Sequence, residues 1–418
     1  MDPAAFESWR VPLAQWGLVQ LVTGLTVALT PSQSVARSPA AAIVIALAYS
    51  FQSRVAESFG DTRVGGPLAA MCWVNVLNAI DMLVLTRVSY EAQAEWEEAK
   101  RSGGRALNSG SLTSTLFRRL LWSQNTAFNY RRINTPWQIS RLTVFDETNP
   151  QYVPSRLKFV LQASVKVLIA FLLVHLCTMD PQDPRLAAAI AELSHSKRVL
   201  APWEHGTTAR TILAQATTTI SFGIVCRASI IGIYSLCGVV FVGLGIHDPA
   251  DWPPVAHSLT EAWSLTRLWG TAWHQTFRTL LVSNADFISF SVLRIPAKSR
   301  WACYPRVLFA FTVSGFVHMG MDLAFGVPRA KTGAVWFFCL QALGVMLESV
   351  VSSLCGARIE RLNPLFRRVL GYVWVGLFLL WATPVWLNPI MLCLYEDGQR
   401  AMSPVPIIGG LPLERYWY

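Results

Sequence analysis

Apolar residues gather along this chain into long runs, set apart by stretches rich in proline and charge. About 20 such residues are needed for a helix to cross a hydrocarbon core. On that measure eight spans are predicted, over 11–30, 39–52, 67–86, 157–178, 218–246, 302–326, 332–355 and 369–393, the second of them short. The expected fold is all-α: a polytopic integral membrane protein with about eight transmembrane helices, forming one membrane-embedded domain over 1–418. The first run is long for the apolar core of a signal peptide and two more follow closely, so it is expected to stay as an uncleaved anchor.

One stretch departs from the pattern. Between 259 and 290 the chain is amphipathic, and helical spacing would put Arg267, Thr271, His274 and Arg278 on one face, with Leu265, Trp269, Trp273 and Phe277 largely elsewhere. A cytosolic segment of this kind either lies in the membrane interface or re-enters to line a cavity, and its polar face is available to a ligand.

Composition agrees with a membrane protein: 53% of residues are hydrophobic, 14% are charged, and 17 tryptophans occur in 418 residues. The formal net charge of +10 does not point to nucleic acid, because no Lys/Arg block or aromatic-interleaved basic stripe stands out. It reads instead as retention of basic loops on the cytosolic side. The longest polar segment, 87–156, carries Lys100, Arg101, Arg105, Arg118, Arg119, Arg131 and Arg132. Placing it in the cytosol makes 247–301 and 356–368 cytosolic and both termini lumenal. Arg358, Arg361, Arg367 and Arg368 against Glu360 fit that topology, whereas Arg185, Lys197, Arg198 and Arg210 run against it. The eight cysteines are scattered, without Cys-x-x-Cys or zinc spacing, so they are expected to act as small hydrophobes, with no metal or redox site.

Two histidines carry the candidate chemistry. His318 lies inside the span 302–326 and His274 inside the amphipathic stretch, both where an ionisable group is costly and therefore marks a functional site by default. Ser314, His318 and Asp322 recur every four residues and share a helix face, and Gly315 and Gly320 leave room for a neighbouring helix or substrate. A blander account remains open for each: His318 as a hydrogen bond between helices, His274 as an interfacial residue among tryptophans. A buried neutral imidazole suits the removal of a proton from a weakly acidic hydroxyl. His274, Gln275 and Trp273 could donate to a developing oxyanion.

These residues resemble the wax-synthase-like branch of the membrane-bound O-acyltransferase superfamily. That branch pairs a Ser-Leu-Arg-x-Phe-Trp-Gly-x-x-Trp-His-Gln type motif with a later Ser-Gly-x-x-His. The chain reads Ser264-Leu-Thr-Arg-Leu-Trp-Gly-Thr-Ala-Trp-His-Gln275, then Ser314-Gly-Phe-Val-His318 with Asp322 after it. The motif region covers about 260–326. Arg267 sits one place away from the usual arginine, and an Arg-Gly-Ile-Gly type element of fungal members survives as Arg131-Arg-Ile-Asn134, with both glycines replaced.

The resemblance implies an acyl-CoA-dependent O-acyltransferase of the endoplasmic reticulum, with His318 as base and no tightly bound cofactor. Fungal relatives often acetylate terpenoid or meroterpenoid hydroxyls and plant relatives esterify fatty alcohols. The closer likeness is to the fungal form, so acetyl-CoA and a hydrophobic, hydroxylated small molecule are the expected partners, with a wax or sterol ester synthase as the alternative. CoA carries phosphates, for which Arg267, Arg278, Arg294, Lys298 and Arg300 are candidates, although anchoring of a cytosolic loop would explain the same charges. Two other classes fit less well. A proton-coupled transporter would be expected to show internal symmetry, and a prenyltransferase or terpene cyclase needs aspartate motifs that Asn75, Asn78 and Asp81 imitate poorly.

Overall fold

A computed structural model describes residues 3–59, 64–101, 112–178, 190–193, 206–299 and 301–396. Arg185, Lys197, Arg198, Arg105 and Arg300 lie outside the described residues. Thirteen helices are described in chain order: α1 (Pro3–Leu29), α2 (Arg37–Ser58), α3 (Gly65–Ile80), α4 (Tyr90–Arg101), α5 (Leu112–Phe128), α6 (Arg156–Leu176), α7 (Ala209–Gly243), α8 (Leu265–Arg267), α9 (Arg278–Asp286), α10 (Cys303–Ala324), α11 (Ala334–Ile359), α12 (Pro364–Ala382) and α13 (Pro384–Glu396). Wider π turns continue α3 over Asp81–Leu85, α8 over Leu268–Ala272 and α9 over Phe287–Val292. Among the described residues there is no strand, only an isolated antiparallel bridge between Ala256 and His274.

Eight of these helices are long and apolar enough to cross a membrane: Trp9–Leu29, Arg37–Ser58, Gly65–Leu85, Arg156–Leu176, Ala209–Gly243, Cys303–Ala324, Ala334–Ile359 and Pro364–Ala382. The chain is thus a multi-pass integral membrane protein, as its apolar runs predict. Three boundaries differ. The short span 39–52 is a full helix of 22 residues, and the span 218–246 belongs to a helix of 35 residues that begins at Ala209. The span 369–393 is two helices, because Pro384 cannot continue the hydrogen-bond ladder of α12 and instead opens α13.

The chain folds as two compact units. The first comprises Met1–Phe59, Pro67–Arg141 and Thr276–Ala324. In it α1 packs along α2 and α5, and α9 along α10. Val74 of α3, Leu280 of α9 and Val317 of α10 form a buried cluster, and against it pack Tyr130 and Phe277, whose rings meet each other edge to face at 5.5 Å between centres. Gly320 is a close-approach point, since a methyl there would come within 2.6 Å of the Trp73 ring. Trp73 is held in turn by Gln52, whose amide also donates to the Gly320 carbonyl at 3.1 Å.

The second unit comprises Gly60–Gly66, Leu142–Gln275 and Phe325–Tyr418. Its α6 packs along α7 and turns Leu157, Leu161, Val165, Leu168 and Leu172 outward, which lipid rather than water would accept. A second cluster joins Leu265, Leu268 and Ala272 of α8 and its π turn to Val375, Phe378 and Ala382 of α12, ringed by Trp269, Trp273, Trp374 and Trp381. Gly371 makes that contact possible, because a methyl on it would run into the Trp263 carbonyl oxygen. The aromatic motif segment is therefore anchored by packing as well as by hydrogen bonds.

Candidate functional site

The Trp273-His274-Gln275 segment is not on a helix. Ser264 caps α8 by accepting from the Arg267 N–H at 3.1 Å, and the following π turn closes when the Trp273 N–H donates to Leu268 at 2.7 Å. Trp273 then turns extended (φ −75°, ψ 177°), and α9 begins only at Arg278. The continuous helix that would have aligned Arg267, Thr271, His274 and Arg278 is absent, because the chain leaves the helical region at Trp273. His274 instead pairs with Ala256 across an antiparallel ribbon, in which the Gln275 N–H donates to Val255 at 2.8 Å. Gln275 is buried, and its side-chain oxygen accepts from the Thr143 hydroxyl at 3.1 Å. The half-buried His274 and Trp273 line a recess with Ala256, Arg227, Ile230 and Ile231.

Glu348, in the apolar helix α11, fixes the entry to this segment. Its carboxylate accepts from the N–H groups of Leu265 and Thr266 at 2.6 and 2.9 Å, from the Thr266 hydroxyl at 2.8 Å and from the Trp374 indole at 2.8 Å. The first amides of a helix lack intrahelical acceptors and carry partial positive charge, so a carboxylate there is stabilised on both counts. Two turns back along α11, Gln341 accepts from the Trp269 indole at 3.2 Å. Arg267 pairs with Glu261 and lies over the Trp263 ring at 4.7 Å from its centre.

In the first unit, α10 is an unbroken helix, so Ser314, His318 and Asp322 do share a face. His318 is half-buried and Asp322 is fully buried. The link from Ser314 to the imidazole comes from its backbone: the Ser314 carbonyl lies 2.7 Å from His318 Nδ1. A carbonyl oxygen can only accept, so Nδ1 carries the hydrogen and Nε2 is the basic nitrogen of the neutral ring.

The basic candidates separate by environment. Arg278, half-buried at the start of α9, has its pKa pulled down by burial and then by the like charges of Arg141 and Arg306. Such a concentration of positive charge favours the arrival of an anion. Arg306 is tied to Asp286 at 2.5 Å. Arg294, in the left-handed region at φ 55°, and Lys298 are both exposed in the loop after α9.

Asn78 and Asp81, weighed above as a poor diphosphate motif, are occupied otherwise. Both accept from Arg132, at 2.7 and 2.9 Å. Two ionisable residues beside this segment lie outside the motifs that the sequence singles out, Glu348 and Arg227. Each is an ionisable residue inside an apolar run, the same signal that singled out the two histidines.

Residues 252–340 match the Membrane bound O-acyl transferase family. That region holds the ribbon, α10 with His318, and the start of α11. Several fungal proteins are similar over much longer stretches. Acetyltransferase aurG of Calcarisporium arbuscula is 28% identical over 73% of this chain and 72% of its own length. Acetyltransferase fsoF of Humicola fuscoatra is 27% identical over 80% and 83%, and Acetyltransferase pyr8 of Aspergillus fumigatus 25% identical over 94% and 89%. The family match covers both histidines and the similarity to fungal acetyltransferases runs through nearly all the spans, and together they support a multi-pass O-acyltransferase, an enzyme that moves an acyl group from a donor to a hydroxylated acceptor.

Proposed function

We propose that this enzyme transfers acetyl from acetyl-CoA to a hydroxyl of a hydrophobic terpenoid or meroterpenoid secondary metabolite, in the endoplasmic reticulum membrane, working as a single catalytic domain. The observation that carries the mechanism is the bond between His318 Nδ1 and the Ser314 carbonyl, which fixes the tautomer and leaves Nε2 as the base. The names of the similar fungal proteins support acetyl as the group moved.

In the reaction proposed, the acceptor oxygen attacks the thioester carbonyl while its proton passes to Nε2 of His318. The tetrahedral oxyanion then collapses, the carbon–sulfur bond breaks, and the CoA thiolate leaves and regains the proton from the imidazolium. A thiolate, with a reference pKa of about 8.5, needs no strong acid to depart. One base therefore serves both halves of the reaction. Trp273, His274 and Gln275 are proposed, on their chemistry alone, as donors to the oxyanion, and Ser314 and Asp322 as positioning residues for His318. Arg278, with Arg294 and Lys298, is proposed to meet the phosphates of CoA. Arg267 and Arg300 join that set on sequence grounds.

Membranes containing the full chain, given acetyl-labelled CoA and farnesol as a terpenoid test alcohol, or a lipid extract of the host, should form a new acetyl ester. His318→Ala should lower that rate by about 10²- to 10⁴-fold with expression unchanged, the usual contribution of a general base. An undiminished rate in this variant removes His318 from the mechanism. Uptake into vesicles without any new ester would replace the enzyme with a transporter.

A further inference from the structure

We infer that Arg227 is the positioning residue of the ribbon that carries His274. Arg227 lies in the middle of α7, in the run Ile224-Val-Cys-Arg-Ala-Ser-Ile-Ile231, where a guanidinium is costly and so calls for a task. Its two terminal nitrogens go to different arms of the ribbon. Nη1 donates to the Ala272 carbonyl at 2.5 Å and Nη2 to the His257 carbonyl at 2.7 Å. These carbonyls lie beyond the same end of the Ala256–His274 bridge, one on each arm.

The two backbone bonds described across the ribbon are unequal. The His257 N–H reaches Thr271 only at 3.5 Å, while the Gln275 N–H to Val255 bond is 2.8 Å. A pairing of this length is unstable alone, and the two arms would slide or part without an outside tie. A guanidinium is a planar fork with a fixed angle between its N–H groups, so it sets both the spacing and the register of two carbonyls at once. Two turns further along the same face of α7, the Tyr234 hydroxyl donates to the Pro253 carbonyl at 2.8 Å and secures the start of the first arm. Arg227, Ile230 and Ile231 then form the wall of the recess in which His274 lies. Arg227 acts through the backbone of its neighbours and needs no contact with substrate.

The catalytic consequence rests on the proposed acyl transfer, while the clamp itself can be read without it. Full-length protein in micelles is compared by hydrogen exchange and mass spectrometry as wild type, Arg227→Met and Arg227→Lys. In Arg227→Met, faster exchange is expected over 255–257 and 271–275, with α11 and the rest of α7 unchanged. Arg227→Lys, whose point charge can serve one carbonyl but not the pair, should fall between the two. In the same membranes acetyl transfer to farnesol should drop about 10²-fold in Arg227→Met, the scale expected when a reacting group is misplaced by about 1 Å. KM for acetyl-CoA should hold within a factor of about 3, because misplacement of this kind affects the chemical step more than donor binding.

Unchanged exchange in the ribbon of both variants overturns the clamp, even where His318→Ala abolishes transfer and the proposed function stands. If Arg227→Met unfolds the whole chain, Arg227→Lys decides, and wild-type exchange there overturns the clamp. Wild type that makes no ester while the ribbon loosens as expected would remove the proposed function and leave the clamp in place.

Discussion

The guanidinium of Arg132 meets the carboxylate of Asp81 at 2.9 Å with both side chains entirely out of solvent. Arg132 also stands in the left-handed backbone region at φ 53°, as does Asn134 at φ 59°. These are the two positions at which the resembling fungal element carries glycine. The backbone conformation that glycine adopts freely is kept here by two residues for which it carries a steric cost. Arg132 offsets that cost with bonds to Asp81, Asn78 and the carbonyls of Thr126 and Asn129.

Asp81→Ala should therefore be among the most damaging single changes in the first unit. Removing one partner of a buried pair strands the other, typically at about 3–5 kcal/mol. Thermal unfolding of the solubilised chain is expected to show a large fall in Tm. Restoring glycine with a neutral partner, Arg132→Gly with Asp81→Asn, should recover most of it. A double variant no better than Asp81→Ala would show that the pair carries little of the stability.

Glu348→Gln should weaken the entry to the aromatic segment while leaving the span able to insert. Hydrogen bonds to a charged acceptor contribute about 1.5–3 kcal/mol, and three of the four donors at Glu348 belong to Leu265 and Thr266. The expected outcome is lower kcat at normal expression, read in the acetyl-ester assay. A wild-type kcat would mean that packing of Leu265 and Leu268 on α12 is sufficient.

Two glycines of α12 offer a contrast within one helix. Gly371→Ala would drive a methyl into the Trp263 carbonyl, whereas Gly376 has open space around it. Gly371→Ala is expected to fold poorly or to lose the contact with Trp263, and Gly376→Ala to be neutral or slightly stabilising, since alanine favours a helix over glycine by about 1 kcal/mol. Melting curves of the two variants side by side settle the comparison.

Arg278→Gln should raise KM for acetyl-CoA more than it lowers kcat. Arg278 lies beside Arg141 and the Asp286-paired Arg306 before any ligand arrives, and an incoming phosphate would relieve the repulsion that remains. The rise in KM should shrink as salt is added, because screening weakens the same attraction in the wild type. A KM independent of both the substitution and salt would place CoA elsewhere.

Helices were the legible part of the sequence, because a run of about 20 apolar residues has one solution in lipid. The face that joins Ser314, His318 and Asp322 was legible for the same reason, since its period is that of an uninterrupted helix. The amphipathic stretch was misread because periodicity assumes a continuous helix, and nothing local announces that Trp273 turns extended or that the partner of His274 is Ala256. Long-range pairing hid the tasks of Arg227 and Glu348 as well: their carbonyl and amide partners are 30 to 83 residues away. The break between α12 and α13 was signalled by Pro384, but the apolar run through it masked the signal.

At about 1.5 Å per residue the 35 residues of α7 extend about 50 Å, well beyond a hydrocarbon thickness of about 30 Å. Its first turns, with Thr211, Gln215, Thr217, Thr218 and Thr219, are suited to the headgroup layer. The depth at which Arg227 sits is thus set by how far this long helix leans, and lean responds to bilayer thickness. Turnover should accordingly change with the acyl length of the phospholipids around the enzyme, even when neither substrate is altered.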